Sequence, residues 1–372
     1  MKRIGAALAA TLSMVLASCA APPLENGWEA RLHGDAVVLL GEVHDNHALL
    51  RLRLEVLERA FAAGWRPTIV MEQFDRERQA DIERARRERP DDAQHVIDVA
   101  APQRSGWNWD DYRPYVALAL AHRVPLVAGN VSAADTARIV RGGYDAVFDR
   151  GTIAALGLDR TIDPAWQADQ EREIDAGHCH ALPSDVWPRM ARAQYARDAF
   201  MAHVLGEHAS AGAVLLAGNG HARRDLGVPR WLALDAARVL SVGFFETDST
   251  MPAGAFDAIV RAPPAARDDP CARFAPPRPS ASGAALAVRD RQRPAVSGRR
   301  RHAGRQPGRE QPRLLVVGVF AEHEPILDQV VDRLVHRRAV HPERRIALSD
   351  RRPRIAGRSA VGSGLRERDV LA

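Results

Sequence analysis

The sequence lacks two catalytic signatures and is poor in lysine, cysteine and tyrosine. No Gly-x-Ser-x-Gly elbow is present, which disfavours a serine hydrolase of the α/β-hydrolase type. No Gly-x-Gly-x-x-Gly follows the first apolar run, which counts against a nucleotide cofactor. Lys2 is the one lysine, so arginine supplies nearly all of the positive charge. There are three cysteines and four tyrosines, so few residues can serve as thiolate or phenolate ligands.

Positive charge is concentrated in the last hundred residues. The formal net charge is +5, but from Cys271 onward 22 arginines accompany 10 acidic residues. The 270 residues before that point carry 30 basic and 37 acidic residues. This acidic main part argues against a nucleic-acid partner. A hydrophobic content of 46% with 27% charged residues is typical of a globular chain, and 372 residues can build one large domain or two ordinary ones.

The N-terminus has the pattern of a bacterial export signal. A cationic start at residues 1–3 precedes an apolar run over 4–16, which is too short to span a bilayer and suits a secretory signal. The run ends in Leu-Ala-Ser-Cys at Cys19, which resembles a lipoprotein lipobox. That resemblance implies a lipidated Cys19 as the first mature residue, anchored in the lipid bilayer. Since Ala20 rather than aspartate follows, we expect outer-membrane sorting; an ordinary signal peptide is the alternative.

The sequence predicts four segments. These are a signal peptide over 1–19, a linker over 20–30, an α/β domain over 31–262 and a tail over 263–372. Cys179 and Cys271 remain after lipidation of Cys19, and an oxidising compartment allows them to form a disulfide.

From about residue 32 to residue 260, apolar runs alternate with helical patterns. Spacing such as that of Leu50, Leu54 and Leu57 predicts amphipathic helices, and Asp45 or Asn46 can cap the first of them. Strands that alternate with helices predict an α/β fold with a mainly parallel sheet, helices on both faces and a ligand crevice at the carboxyl ends of the strands. The predicted strands are 36–40, 68–71, 124–128, 212–217 and 237–243, and the predicted helices cover 50–61, a segment ending at 89, 112–122 and 190–208.

Polar residues follow four of the predicted strands. Because the carboxyl ends of parallel strands meet at one edge of a sheet, we expect these residues to line a shared site. They are Glu42 and His44, Glu72 and Gln73, Asn130, and Asn219 and His221. Glu42 and His221 lie in glycine-containing turns outside the apolar runs, so alanine there is expected to cost no more than about 0.5 kcal/mol of stability.

Several of these runs resemble the ChaN family of haem-binding lipoproteins, within the wider Tiki-like superfamily. The resemblance begins with LGEVHDN at 40–46 and MEQF at 71–74. It continues in order with WNW at 107–109 and Tyr112, GHCH at 177–180, AQ at 193–194, RD at 197–198, MA at 201–202 and GNGH at 218–221. It covers roughly residues 30–260. It implies a surface lipoprotein for haem or iron uptake, a homodimer that holds haem between subunits, a tyrosine iron ligand and haem transporter components as partners.

Haem requires an axial donor, an apolar wall and groups that bind its propionates. Tyr112 and Tyr195 are the candidate tyrosine donors, with Arg197 for a propionate. His178 and His180 are a second candidate pair, because residues two apart on a strand face the same side. A structural role for this pair is the alternative.

An enzyme is the rival hypothesis. Other members of the superfamily resemble metalloproteases and erythromycin esterases. Under this hypothesis Glu42, His44, Glu72 and His221 form a divalent-metal site, or a glutamate acts as general base toward water.

The tail departs from the composition of the rest of the chain. It is rich in arginine and proline, with a strand predicted at 314–320 and a helix at 325–335. Three hypotheses stay open: a basic arm attracted to anionic lipid or polysaccharide, a small accessory domain, or an out-of-frame translation. Where periodicity is absent, the composition suits disorder.

Overall fold

The structure, a computed structural model, describes residues 27–102 and 106–272, and this part of the chain folds around one parallel sheet. The signal peptide, Cys19 and the strand and helix predicted for the tail lie outside the described residues.

All six strands of the described sheet are parallel, as the sequence predicts. The order is β3-β2-β4-β1-β5-β6, so β1 lies centrally and β3 and β6 are the edges. The strands are β1 Val37–Leu40, β2 Thr68–Asp75, β3 Leu126–Asn130, β4 Ala213–Leu216, β5 Val239–Glu246 and β6 Ala258–Ala262.

Helices cover both faces of this sheet. Along β1, Val38 and Leu40 face one side and Val37 and Leu39 the other, because successive side chains of a strand alternate. The first side packs against α1 and α4, and the second against α8. The helices are α1 His47–Ala62, α2 Gln79–Glu88, α3 Ala93–Ala100, α4 Trp109–Ala121, α5 Ala133–Gly142, α6 Arg150–Ala155, α7 Pro164–Gly177, α8 Trp187–His208 and α9 Asn219–Ala222. Within the described ranges, no helix has the length and apolarity needed to cross a bilayer.

The predicted elements are present, with differences at their ends. Asn46 is the residue that caps α1, accepting a hydrogen bond from Leu49 N at 3.1 Å. The end predicted for β2 is wrong: the strand continues to Asp75, which pairs with Asn130 after a register shift, so Glu72 lies inside the strand. The fifth strand runs to Glu246, beyond its predicted end. The sequence does not predict β6, α3, α5, α6, α7 or the short helix α9.

Residues 263–272, assigned to the tail from sequence, lie against the domain. Arg267 donates to Glu246 at the end of β5 and forms an ion pair with Asp45, 2.7 Å away, in the loop after β1. Cys271 forms a disulfide with Cys179, as the sequence allows. This segment therefore ties the sheet edge at β6 to the turn after α7.

Candidate functional site

The polar residues predicted at the strand ends come together at four adjacent strands, β3, β2, β4 and β1. Glu42 follows β1, Glu72 lies in β2, Asn130 ends β3, and His221 lies in α9 directly after β4. All four side chains are buried. They belong to a polar network inside the protein rather than to an open crevice.

Glu42 is the centre of the first half of this network. Its Oε1 accepts a hydrogen bond from the Tyr112 hydroxyl at 2.6 Å and lies 2.6 Å from His44 Nδ1. Its other oxygen forms an ion pair with the buried guanidinium of Arg53, which also donates to Leu40 O. Glu42 is 1% exposed and Arg53 is fully buried, so this ion pair is removed from water.

The charge state of this cluster follows from its contacts. Burial acts to raise the pKa of Glu42, but Arg53, His44 and Tyr112 together hold it below its ordinary value. Burial and the charge of Glu42 raise the pKa of Tyr112 well above its ordinary value. Glu42 is therefore an anion, and Tyr112 is a neutral hydrogen-bond donor to it.

Arg53 is the member of this cluster that the sequence reading missed. It lies three residues after Leu50 and four before Leu57, on the apolar stripe of α1. A charged residue at such a position requires a buried partner. That spacing was the signal that could have identified it.

Glu72 and His221 form the second half. Glu72 Oε2 accepts a hydrogen bond from Gly218 N at 2.7 Å, and its Oε1 lies 3.4 Å from His221 Nε2. The other ring nitrogen of His221 lies 2.6 Å from Asp198 Oδ1 on α8. Asp198 appeared in the sequence only as part of a motif, and no site role was assigned to it.

His221 is held as an imidazolium between two carboxylates. Burial acts to lower its pKa, but Glu72 and Asp198 outweigh it and raise the pKa to about 9. For Glu72, burial is outweighed by the charge and hydrogen bond of His221, which hold its pKa well below the ordinary range. Burial raises the pKa of Asp198.

Gly218 joins the two halves. A Cβ at this position would lie 3.0 Å from His44 Nε2 and 3.8 Å from Glu72 Oε2, so a larger residue here would press on the His44 ring. Arg197 extends the network: it donates to Asn130 Oδ1 at 3.0 Å and lies 3.7 Å from Glu72.

Asn219 has a different role. Its side chain donates to Phe244 O at 2.6 Å and accepts from Phe244 N at 3.0 Å, so it ties α9 to β5. A Cβ on Gly41 would lie 2.2 Å from Asn219 Oδ1, which explains the glycine after β1.

The four residues of the enzyme hypothesis, Glu42, His44, Glu72 and His221, lie close together but are enclosed by the protein. Glu42 is neutralised by Arg53 and Glu72 by His221, and neither glutamate is more than 2% exposed. Among the residues that the structure describes, no three His, Cys, Asp or Glu side chains are placed to hold a metal ion. The expectation that alanine at Glu42 or His221 costs no more than about 0.5 kcal/mol of stability assumed exposed side chains. Their burial in ion pairs overturns it.

The candidate haem ligands are not gathered at one surface. Tyr112 has no exposed surface, and Tyr195 is 1% exposed and donates to Gln167. Arg197 is buried and committed to Asn130.

The strand geometry expected for His178 and His180 is wrong. They lie in the turn after α7, where Cys179 and His180 have left-handed φ angles of 57° and 58°. Such a turn does not give the two rings a shared strand face. His178 Nδ1 lies 2.7 Å from Ile174 O, and His180 Nδ1 lies 2.6 Å from Asp175 Oδ2.

A cluster that the sequence reading missed surrounds Tyr144. This half-buried tyrosine precedes α6, and in the described part of the chain its hydroxyl has no hydrogen-bond partner. Arg192 and Arg160 are near enough for their charges to lower the pKa of Tyr144, although burial has the larger effect and raises it. Arg192 reaches this region beside Gly143, where a Cβ would lie 3.5 Å from its Nη1.

Stacked arginines continue this cluster. The guanidinium of Arg160 lies 3.7 Å from the ring centroid of Trp231, and that of Arg230 lies 4.5 Å from the ring of Trp166. The side chain of Arg160 also donates to Arg230 O at 3.1 Å. Burial and the charge of Arg230 lower the pKa of Arg160. We call Tyr144, Arg160, Arg192, Arg230 and Trp231 the arginine–tyrosine cluster; no described carboxylate forms an ion pair with any of its arginines.

The raised pKa of His221 predicts a pH-dependent stability. The folded protein holds a proton on His221 up to about pH 9, whereas the unfolded chain loses it near the ordinary pKa of 6.5. The stabilisation is therefore complete below pH 6.5 and is lost as the pH rises through 9, at about 1.4 kcal/mol per pH unit. Urea unfolding at pH 6.5 and pH 9 measures this loss of unfolding free energy. The loss should be absent in His221→Gln. It should remain in the control His47→Gln, which changes an exposed histidine. If the unfolding free energy changes by the same amount between the two pH values in all three proteins, His221 is not the group responsible.

Comparison with known proteins gives the family. A model described as haem-binding uptake, Tiki superfamily, ChaN matches residues 28–232. Three solved structures resemble the chain. They are ChaN of Campylobacter jejuni with cofacial haem (17% identity, TM-score 0.48, 61% of this chain and 87% of that one), the type III effector HopBA1 (10%, 0.36, 61% and 88%) and a Bacillus cereus protein (12%, 0.29, 58% and 67%). No curated protein matches the sequence at a significant level. Because the family model spans more than half of the chain and includes the buried network, this protein belongs to the ChaN family of haem-binding uptake proteins in the Tiki superfamily.

Proposed function

We propose that this chain binds ferric haem at the arginine–tyrosine cluster, with Tyr144 as the axial ligand. The observation that carries the proposal is the convergence of a partly exposed tyrosine, three arginines that form no ion pair with a carboxylate among the described residues, and an aromatic surface. Tyr112, Tyr115 and Tyr195 are each at most 1% exposed. Tyr144 is therefore the tyrosine that iron can reach without disturbing the core.

Each part of the cluster matches one requirement of haem. A tyrosinate oxygen is an established axial ligand of ferric haem. Arg192 and Arg160 favour the phenolate form of Tyr144, because a nearby positive charge stabilises the anion. Arg230 is placed to bind a propionate, and Trp231, under the guanidinium of Arg160, adds aromatic surface.

The buried network has a supporting role in this proposal. It fixes the loops after β1 and β4 and the helix α8, which carries both Asp198 and Arg192. The positions of Arg192 and Tyr195 therefore depend on a core of paired charges rather than on apolar packing alone.

We further propose that the protein acts in the bacterial envelope. The lipobox-like sequence ending at Cys19 supports a lipidated N-terminus, and the disulfide between Cys179 and Cys271 fits an oxidising compartment. We also propose a homodimer that shares haem and passes it to transporter components, a role in keeping with the family's description as haem-binding uptake proteins. Mass spectrometry of the protein from membranes tests the anchor: a diacylglyceryl modification at Cys19 is expected, and an unmodified Cys19 would contradict it.

Haem titration of the purified full chain tests the binding proposal. A Soret band that saturates at a fixed stoichiometry is expected, and Tyr144→Phe should weaken binding about tenfold or more, as loss of a ligand-sphere group does. Tyr195→Phe, in the neighbouring core, is the matched control and should bind as the unmodified protein does. No saturable Soret band in the unmodified protein would refute haem binding, and equal affinities for all three would refute the role of Tyr144.

The role of Arg230 can be tested separately, by comparing the binding of haem with that of its dimethyl ester. Haem dimethyl ester lacks the two propionate charges, so Arg230→Gln should weaken binding of haem but leave binding of the ester unchanged. A loss of the same size for both ligands would mean that Arg230 acts through the fold rather than on a propionate.

A further inference from the structure

A groove separate from the arginine–tyrosine cluster runs beside the edge strand β3. It consists of two cavities of about 430 and 440 Å³ that share Arg76, Phe200 and His203 in their walls. The first cavity lies between α2, β3 and α8, and the second lies between α6 and α8. Because three residues line both, the two cavities adjoin, and we refer to them together as the groove. Each is within the range of about 300–1,000 Å³ found for small-molecule pockets.

The two ends of the groove differ in chemistry. The far end, near α6, is mainly apolar, with Phe148, Ala155 and Leu156 in its wall; Asp149 and Thr152 also line it, and Asp149 caps α6 through a hydrogen bond from Thr152 N. The near end contains Arg86 of α2, whose guanidinium donates to Val124 O at 2.7 Å. No described carboxylate lies within ion-pair distance of Arg86. Burial lowers the pKa of Arg86, and the charge of Glu83, one turn earlier on α2, opposes this only in part. The exposed Glu83 and Glu207 are at the rim of the same end.

Arg76 and His203 occupy the middle. Arg76 packs over the ring of Phe148 at 5.0 Å and donates to Asp135 Oδ2 at 2.7 Å, and its Nε lies 3.4 Å from Glu77 Oε1. His203 Nε2 lies 3.5 Å from Glu207 Oε1. The groove thus offers hydrogen-bond donors along one wall and apolar surface at the far end.

We infer that this groove binds an elongated amphiphile with a single carboxylate, of the fatty-acid type. The carboxylate would pair with Arg86, and the chain would pass Phe200 toward Phe148 and Leu156. This arrangement places the anion at a guanidinium that forms no ion pair with a described carboxylate, and the hydrocarbon against apolar side chains. The inference is independent of haem binding, since no residue of the arginine–tyrosine cluster lines the groove.

Calorimetric titration with dodecanoate tests the inference, with methyl dodecanoate as the uncharged probe. Arg86→Gln should weaken dodecanoate binding about tenfold, as expected for a charge-assisted hydrogen bond, and should leave the weaker binding of the ester unchanged. Arg84→Gln is the matched control on the same helix, because Arg84 is exposed and paired with Asp81. Ala155→Trp fills the far end from an exposed position on α6 and should weaken both probes.

Haem provides the decisive competitor. Dodecanoate should bind equally well to the haem-saturated protein, and Ala155→Trp should leave haem affinity unchanged. The inference is overturned by undetectable dodecanoate binding, by equal binding in Arg86→Gln and the unmodified protein, or by displacement of dodecanoate by haem. Displacement of dodecanoate by haem would make the groove itself the haem site. A missing Soret band together with intact dodecanoate binding would contradict only the proposal of haem binding.

Discussion

Replacing Glu42 by alanine is expected to destabilise the protein by about 3–5 kcal/mol, because it leaves the fully buried guanidinium of Arg53 without its counter-charge. The same change removes the acceptor of the Tyr112 hydroxyl and a partner of His44. Urea unfolding, followed by circular dichroism, measures the loss as a shift of the transition midpoint at unchanged slope.

Helix α1 also provides the control. Arg59, six residues after Arg53, pairs with Glu29, but this second pair is exposed to solvent. Glu29→Ala should therefore cost no more than about 1 kcal/mol. The double substitution Glu42→Leu with Arg53→Met should recover much of the stability lost in Glu42→Ala, because apolar residues can replace a buried ion pair. If Glu42→Ala and Glu29→Ala lose the same amount, the buried ion pair is not the source of stability that we assign to it.

Removing the disulfide should have an effect of similar size. Cys179 and Cys271 are 92 residues apart in sequence, and closing a loop of that length restricts the unfolded chain enough to contribute about 4 kcal/mol. The double substitution of both cysteines by serine should lower the unfolding free energy by this amount. Adding a dithiol reductant should destabilise the unmodified protein to the same level and leave the variant unaffected. A variant that is as stable as the unmodified protein would contradict the contribution of the bond.

More of the fold than of the site could be predicted from the sequence. Apolar runs such as 36–40 fix strands buried on both faces, and their alternation with helices implies a parallel sheet. The polar residues at the strand ends could be placed at one edge for the same reason. Their burial could not be predicted, because it depends on partners supplied by other elements, such as Arg53 from α1 and Asp198 from α8.

The arginine–tyrosine cluster could not be predicted from local sequence patterns. Tyr144, Arg160, Arg192 and Arg230 come from four separate segments, and no spacing links them. Tryptophan near Tyr112 and arginine near Tyr195 in the sequence favour these two tyrosines as ligands. In the folded chain both are buried, Tyr112 against Trp107 and Tyr195 against Trp166. Whether a tyrosine can reach iron depends on side-chain exposure, which only the folded chain defines.

The most direct test of the central claim is resonance Raman spectroscopy of the ferric haem complex. The account predicts vibrations of an iron-bound phenolate in the unmodified protein and in Tyr195→Phe, and their loss in Tyr144→Phe. Phenolate vibrations that persist in Tyr144→Phe, or a spectrum of histidine-bound haem in the unmodified protein, would contradict it.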